Sequence, residues 1–216
     1  MNMKKRMLSI VLSGAMAVST AVSAGSFSAF AVAQCVAYSG SNVNDQDYVQ
    51  WSDTVKSYLT VCDNGNYMRV QSGAIEGKLL VEYYSSDFEP LSTKLIDNEL
   101  PIFGAFYDSG NNYYVLSGQE NPKQNDSLEV FRITKYDKNW NKIKSCGLYG
   151  ANTTVPFDAG SARMTHSGDH LLVRTCHEMY KSSDGNNHQS NVTIEVDMPS
   201  MTITDSYTGV MNVEYG

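Results

Sequence analysis

Basic residues are scarce in this 216-residue chain, which carries 16 Lys and Arg against 23 Asp and Glu and has a formal charge of −7. A sequence-independent nucleic-acid binder needs clustered Lys and Arg to displace counterions, so the composition argues against that class. After the N-terminal segment no apolar run approaches the ~20 residues of a membrane span, so we do not expect an integral membrane protein.

Familiar catalytic and cofactor motifs are also missing. The chain has no C-x-x-C, G-x-S-x-G, Walker or dinucleotide-binding fingerprint. We therefore expect no cofactor, no zinc ribbon and no thioredoxin-type site. Apolar stripes with the 3.6-residue period of a helix are rare after the first thirty residues, and the best candidate, Tyr48–Tyr58, is short and interrupted.

The first 33 residues are typical of an export signal. Lys4, Lys5 and Arg6 precede the apolar segment Met7–Ala24, and the small-x-small triplet ending at Ala33 suits signal peptidase. Cleavage there removes three basic residues and no acidic one, which takes the formal charge from −7 to −10. The sequence predicts a secreted, extracellular protein, with cell-wall association left open.

Four cysteines follow the predicted cleavage site: Cys35, Cys62, Cys146 and Cys176. In an oxidising compartment they allow three disulfide pairings, between which the sequence does not choose. Free, partly buried thiols are an equally good interpretation.

A repeated order of turns and strands predicts the fold class. Gly65, Gly110 and Gly168 each stand in an Asp/Asn/Ser-rich turn ahead of a β-branched or aromatic run, and they lie 45 and 58 residues apart. This spacing is close to the length of a β-propeller blade. We predict an all-β partial propeller of about three to three and a half four-stranded antiparallel blades, in preference to a β-sandwich.

The predicted blades cover about residues 56–97, 102–148 and 160–206, and a further blade begins at 207–216. Ile102–Phe106 and Ser161–Thr165 are predicted as the first strands of the second and third blades. Three blades do not close a ring. We therefore expect further blades from a longer chain or from self-association.

Connection lengths predict where a ligand binds. The turns between the first and second, and between the third and fourth, strands of each blade are short. The other connections are predicted as long loops, and they lie at the end of the molecule opposite these short turns. They are Gly118–Ser127, Gly147–Gly160 and Cys176–Gln189. Long loops are a default binding surface, although loops that vary in length without function are an equal alternative.

The third of these segments is the richest in chemistry. Its residues His177, Glu178, Asp184 and His188 suit metal ligands or an acid–base pair, or else hydrogen-bond their own backbone. The spacing of His166, His170 and His177 along strands argues against one shared zinc site. We predict no metal site and no catalytic residue, and a ligand-binding set of Asn152, Thr153, Asp158, Arg163, Arg174, His177, Glu178, Tyr180, Asp184 and His188.

Three blocks carry a resemblance to a known group: 130–140, 150–160 and, most specifically, R-T-C-H-E-M-Y with D-G-x-N-H-Q within 174–189. They resemble uncharacterised secreted β-propeller proteins of gut-type Gram-positive bacteria, whose chains run on past residue 216. The resemblance implies an extracellular propeller, sometimes joined to cell-wall or adhesion modules. It implies no activity and no catalytic residue.

Three functions remain open at this point. The first is a non-enzymatic module that binds a polar ligand such as a glycan, a peptide or a surface polymer. The second is a propeller enzyme, a hydrolase, lyase or sulfotransferase-like protein, with His177 or His188 as general acid or base. The third is a structural role within a larger cell-surface protein.

Overall fold

The computed structural model describes residues 54–158, 160 and 162–210. The predicted signal peptide at 1–33 and most of the predicted further blade lie outside the described residues. Every regular element in the described part is a β-strand. None of the described residues forms a helix with the length and apolar character needed to cross a bilayer.

Within the described residues, thirteen strands form three antiparallel sheets. The first sheet contains β1 (Ser57–Val61), β2 (Tyr67–Ile75), β3 (Lys78–Tyr84) and β4 (Pro90–Asp97). The second contains β5 (Ile102–Asp108), β6 (Tyr113–Gly118), β7 (Glu129–Tyr136) and β8 (Lys142–Tyr149). The third contains β9 (Thr153–Pro156), β10 (Arg163–Ser167), β11 (His170–Lys181), β12 (Asn187–Asp197) and β13 (Thr202–Tyr207).

The repeated turns form as their residue types require. Gly65, Gly110 and Gly168 adopt φ angles of 81°, 89° and 55°, a region that residues with a Cβ enter at a cost. In the β7–β8 turn the Asp137 carboxylate accepts the backbone N–H groups of Asn139 and Asn141, each at 2.8 Å. The four strands of each of the first two sheets form a simple meander, and β10–β13 do so in the third.

The middle sheet packs on both of its neighbours because the side chains of β6 alternate between its two faces. Tyr113 and Val115 join a core with Met68 of the first sheet. Tyr114 and Leu116 join a second core with Val173 of the third sheet. The predicted fold is confirmed: the described residues form a partial propeller of three four-stranded antiparallel arrangements, stacked in chain order and not closed.

Two of the three predicted long loops are wrong: Gly147–Gly160 contains the end of β8 and all of β9. Cys176–Gln189 was expected to be the longest loop, but β11 continues to Lys181 and β12 begins at Asn187, which leaves only a short turn. The residues of this segment keep the two-residue alternation of a strand, since His177 and Met179 are buried while Glu178 is partly exposed. Their polarity concealed this pattern in the sequence.

The described cysteines are thiols. Cys62, Cys146 and Cys176 form no disulfide bond, and Cys35 lies outside the described residues. Burial raises the pKa of the Cys146 thiol to about 11, which keeps it protonated and weakly nucleophilic at neutral pH.

Candidate functional site

The segments 147–160 and 176–189 lie side by side at one end of the molecule. Strand β9 pairs with the end of β11, where Pro156 is opposite His177 and Val155 is opposite Glu178. The backbone N–H of Tyr180 also donates to the carbonyl of Asn152 at 3.2 Å. The predicted convergence of these two segments is therefore confirmed, although paired strands rather than loops produce it.

Strands β9 and β10 are two parts of one interrupted strand. Both pair with the same edge of β11, β9 near Glu178 and β10 beside 170–174. Between them Phe157 adopts a φ of 63° and is buried, with its ring edge-on to Phe131 at a centroid distance of 5.4 Å. Phe157 thus fixes the interrupting segment against the second sheet.

Asn121 joins the third segment, the β6–β7 connection, to strands β9 and β11. Its side chain is 1% exposed, and its backbone N–H donates to the carbonyl of Thr154 at 2.7 Å. The Asn121 amide nitrogen donates to the Tyr180 hydroxyl at 3.0 Å, and its amide oxygen accepts the N–H of Asn125 at 2.9 Å. The sequence interpretation did not single out Asn121, although the Asn-Pro pair at 121–122 is a turn signal.

A cavity of about 300 Å³ opens where the three segments meet. We call it the long-loop cavity; its lining residues are Glu120, Pro122, Gln124, Thr154, Val155, Glu178, Lys181 and Asn187. The Thr154 hydroxyl donates to Oε1 of Glu178 at 2.6 Å. Two carboxylates, one ammonium group and three neutral polar side chains therefore surround a space at the lower end of the ~300–1,000 Å³ range of ligand pockets.

The predicted site residues divide between the cavity and its surroundings. Glu178 lines the cavity. Asn152, Thr153 and Tyr180 support its wall: the Asn152 carbonyl and the Tyr180 hydroxyl accept the hydrogen bonds already described, and the Thr153 hydroxyl donates to the carbonyl of Ala151 at 2.9 Å.

His177 belongs to the core between the second and third sheets. Its side chain is 0% exposed, and its Nδ1 lies 2.6 Å from the Thr153 hydroxyl. Burial lowers the pKa of the imidazole to about 4, and the backbone of Thr208 offsets part of that effect. The ring is therefore neutral at physiological pH and does not line the long-loop cavity.

Asp184 and His188 pair with each other at the tip of the β11–β12 hairpin, where His188 Nε2 lies 2.8 Å from the Asp184 carboxylate. Asp184 also accepts hydrogen bonds from the Ser182 hydroxyl and the Asn186 N–H, and these bonds hold its pKa well below the usual range. The alternative given above, in which the polar side chains of this segment form hydrogen bonds within the segment itself, therefore describes the hairpin tip. Asp158 accepts from the Gln189 amide at 2.6 Å, beside the hairpin.

The two predicted arginines lie further along the third sheet. Arg163 and Arg174 are opposite each other in the β10–β11 pair and are exposed. Arg174 donates to the Thr193 hydroxyl at 2.6 Å, and Arg163 donates to the Ala162 carbonyl at 3.2 Å. Arg174 precedes Glu178 by four positions on β11, about 13 Å along the strand, and neither guanidinium lines the cavity.

No group of three or more His, Cys, Asp or Glu side chains suited to a metal ion occurs among the described residues. The cavity presents hydrogen-bond donors and acceptors of both charges, which suits a polar organic ligand.

Replacing Asn121 with alanine is expected to lower the free energy of unfolding by about 1–2 kcal/mol, because the side-chain bonds to the Tyr180 hydroxyl and to the backbone of Asn125 are lost at a buried position. Amide hydrogen exchange of residues 119–128 should accelerate, while Asn111→Ala, at an exposed turn, should change neither quantity. Unchanged exchange in the Asn121 variant would mean that this side chain does not hold the cavity together.

Comparisons with known proteins give no family. No protein-family model matches the chain, and no curated protein matches it. Among solved structures, an apocarotenoid oxygenase from Synechocystis has a TM-score of 0.46 at 11% identity, over 71% of this chain and 38% of the oxygenase. A GH43 β-1,3-galactosidase with galactodeoxynojirimycin has a TM-score of 0.38 at 12% identity, over 69% of this chain and 44% of the enzyme. This chain spans less than half the length of either protein, and the resemblance to secreted bacterial propellers stays a prediction.

Proposed function

We propose that this protein is a secreted, non-enzymatic binding module that holds a polar ligand, such as a glycan, a peptide or a surface polymer, in the long-loop cavity. The supporting observation is the cavity itself, where Glu120, Glu178 and Lys181 stand among neutral polar side chains. Its volume suits one sugar ring or one amino-acid side chain of a longer polymer.

The chemistry of the lining supports binding rather than turnover. His177 is enclosed in the core and His188 is held by Asp184 at the hairpin tip, so neither ring lines the cavity. No observation favours the alternative of a hydrolase, lyase or sulfotransferase-like enzyme that uses these histidines. Carboxylate and ammonium groups select a ligand by charge-assisted hydrogen bonds, and the Thr154 hydroxyl holds the Glu178 carboxylate in place.

The proposal is tested by screening the purified protein on glycan and peptide arrays and then measuring the affinity of a captured ligand by calorimetry. Glu178→Gln removes one charged acceptor from the cavity and should weaken binding about tenfold, the usual effect of losing one charge-assisted hydrogen bond. The matched control is Glu195→Gln, since Glu195 is a partly exposed carboxylate on the same sheet that accepts from His170 at 2.7 Å.

Equal affinities of the two variants would place the ligand outside the long-loop cavity. If the unmodified protein chemically converts a captured ligand and His188→Ala does not, the protein is an enzyme and not a binding module. Circular dichroism of each variant checks that the fold is retained.

A further inference from the structure

A second cavity lies at the opposite end of the molecule, between the first two sheets. We call it the turn cavity; its volume is about 290 Å³, and its lining residues are Cys62, Asp63, Asn64, Asn66, Tyr83, Tyr113 and Lys138. Each belongs to a short turn or to the strand end beside one. None of the long connections contributes, so this cavity is separate from the site described above.

The wall of the turn cavity is aromatic and held in place from behind. Trp140 packs against Tyr113 at a centroid distance of 4.8 Å, and its indole N–H donates to the Tyr83 hydroxyl at 3.1 Å. Because that bond uses an acceptor site of the Tyr83 oxygen, the phenolic proton stays available as a donor. Tyr113 is 4% exposed and Tyr83 is half-buried, so the Tyr83 ring supplies most of the preorganised apolar surface.

The rim of the turn cavity is polar and carries a net negative charge. Lys138 Nζ lies 2.7 Å from the Asp108 carboxylate and 4.4 Å from the centroid of the Tyr113 ring. Asp108 thus balances the ammonium charge, and the exposed Asp63 carboxylate adds one negative charge at the mouth. Such a rim repels anions and accepts hydrogen bonds from hydroxyl groups.

We propose that the turn cavity is a second ligand site, and that its ligand is a neutral sugar residue. The apolar C–H face of a pyranose ring packs on the half-buried ring of Tyr83, while its hydroxyl groups donate to Asp63 and exchange hydrogen bonds with Asn64 and Asn66. The fixed ammonium of Lys138 donates to a further hydroxyl oxygen. This assignment is independent of the proposed function, which concerns the other end of the molecule.

Cys62 makes occupancy of the turn cavity measurable, because its thiol is part of the lining. The purified protein is alkylated with iodoacetamide at mildly alkaline pH, and the rate at Cys62 is followed by peptide mass spectrometry. The probes are the methyl glycosides of glucose, galactose, mannose and N-acetylglucosamine, with galacturonate as an anionic comparison and tetramethylammonium as a cationic one. At least one neutral glycoside should slow alkylation of Cys62 severalfold and leave Cys146 and Cys176 unaffected.

Variants connect this protection to the lining. Asp63→Ala should raise the glycoside concentration needed for half-protection about tenfold, and Asp87→Ala, at an exposed position in the β3–β4 turn, should not change it. Tyr83→Phe keeps the ring and removes the hydroxyl, which is both a donor to the ligand and the acceptor of the Trp140 N–H, and it gives a second variant if the first disturbs its turn. Glycoside-induced change in Trp140 emission gives a second readout, since this indole bonds to Tyr83.

The proposal is overturned if no neutral glycoside protects Cys62, if only tetramethylammonium or galacturonate protects it, or if Asp63→Ala and Tyr83→Phe are both protected like the unmodified protein. Glu178→Gln should leave the protection of Cys62 unchanged. Failure of the turn cavity and failure of the long-loop cavity are therefore separate results.

Discussion

Replacing Gly104 with alanine is expected to lower the free energy of unfolding by about 3 kcal/mol, at the upper end of the usual range for overpacking a core. The added Cβ would lie 2.4 Å from Cζ of Phe157 and 3.1 Å from Cγ of Leu116. Gly104 stands at an irregularity in the β5–β6 pairing, where the backbone passes directly beneath the Phe157 ring. Urea unfolding followed by circular dichroism measures the loss.

Gly209→Ala is the matched control, since its added Cβ would meet only the end of the Tyr207 side chain, 3.3 Å away. It should change stability by less than about 0.5 kcal/mol. If the Phe157 ring is the obstacle, the double variant Gly104→Ala, Phe157→Leu should be more stable than the sum of the two single effects predicts, by about 1 kcal/mol. Strict additivity would contradict the packing described here.

Gly104→Ala should also impair ligand binding in the long-loop cavity. Displacing Phe157 releases the segment between β9 and β10, and β9 supplies Thr154 and Val155 to the lining. Binding at the turn cavity should be retained, because its residues come from the other end of the first two sheets.

Acidification from pH 6.5 to pH 4 is expected to destabilise the protein by about 3 kcal/mol through His177 alone. Burial lowers the pKa of this imidazole from 6.5 in its ordinary state to about 4 in the fold. Between these values the unfolded chain binds more protons than the folded one, so protons favour unfolding. Stability from this group therefore rises as the pH rises from about 4 to about 6.5 and is constant above.

His177→Leu removes the titrating group and keeps a similar volume, and the Thr153 hydroxyl still has the Ala151 carbonyl as its acceptor. Thermal unfolding between pH 4 and pH 7 should depend much less on pH in this variant. His170→Gln, at an exposed histidine, should keep the dependence of the unmodified protein. Equal pH dependence in all three proteins would show that His177 is accessible to water.

The acidic side chains with shifted pKa values do not account for a change in stability between pH 4 and pH 6.5. Asp137, Asp184 and Asp197 are held below their ordinary pKa of 3.8 by hydrogen bonds to nearby turn residues. A carboxyl group with a lowered pKa loses its contribution to stability only as the pH falls below the ordinary value. The three aspartates therefore act below the range in which His177 titrates.

The turns explain why the fold could be predicted from the sequence. Gly65, Gly110 and Gly168 adopt positive φ angles in short hairpins, and such positions carry a clear residue preference. The β-branched runs between these glycines strongly favour strands in the interior of a sheet. Local chemistry was therefore sufficient to identify three similar meanders.

The site was harder to predict because its decisive contacts join distant segments. Phe157 contacts Gly104 and Gly118, which precede it by 53 and 39 residues, and nothing local to any of the three signals the contact. His177 looks like a reactive side chain in sequence, yet its place in the alternation of β11 turns it inward. The Asn121 contacts with Thr154 and Tyr180 are of the same long-range kind.

The alternation of β6 has a consequence for cooperativity. Its successive residues serve two cores in turn, so a slip of one position would exchange the partners of both cores at the same time. Neither interface can adjust its register while the other keeps its own. The middle sheet therefore couples the outer two mechanically, and we expect the three to melt in a single transition.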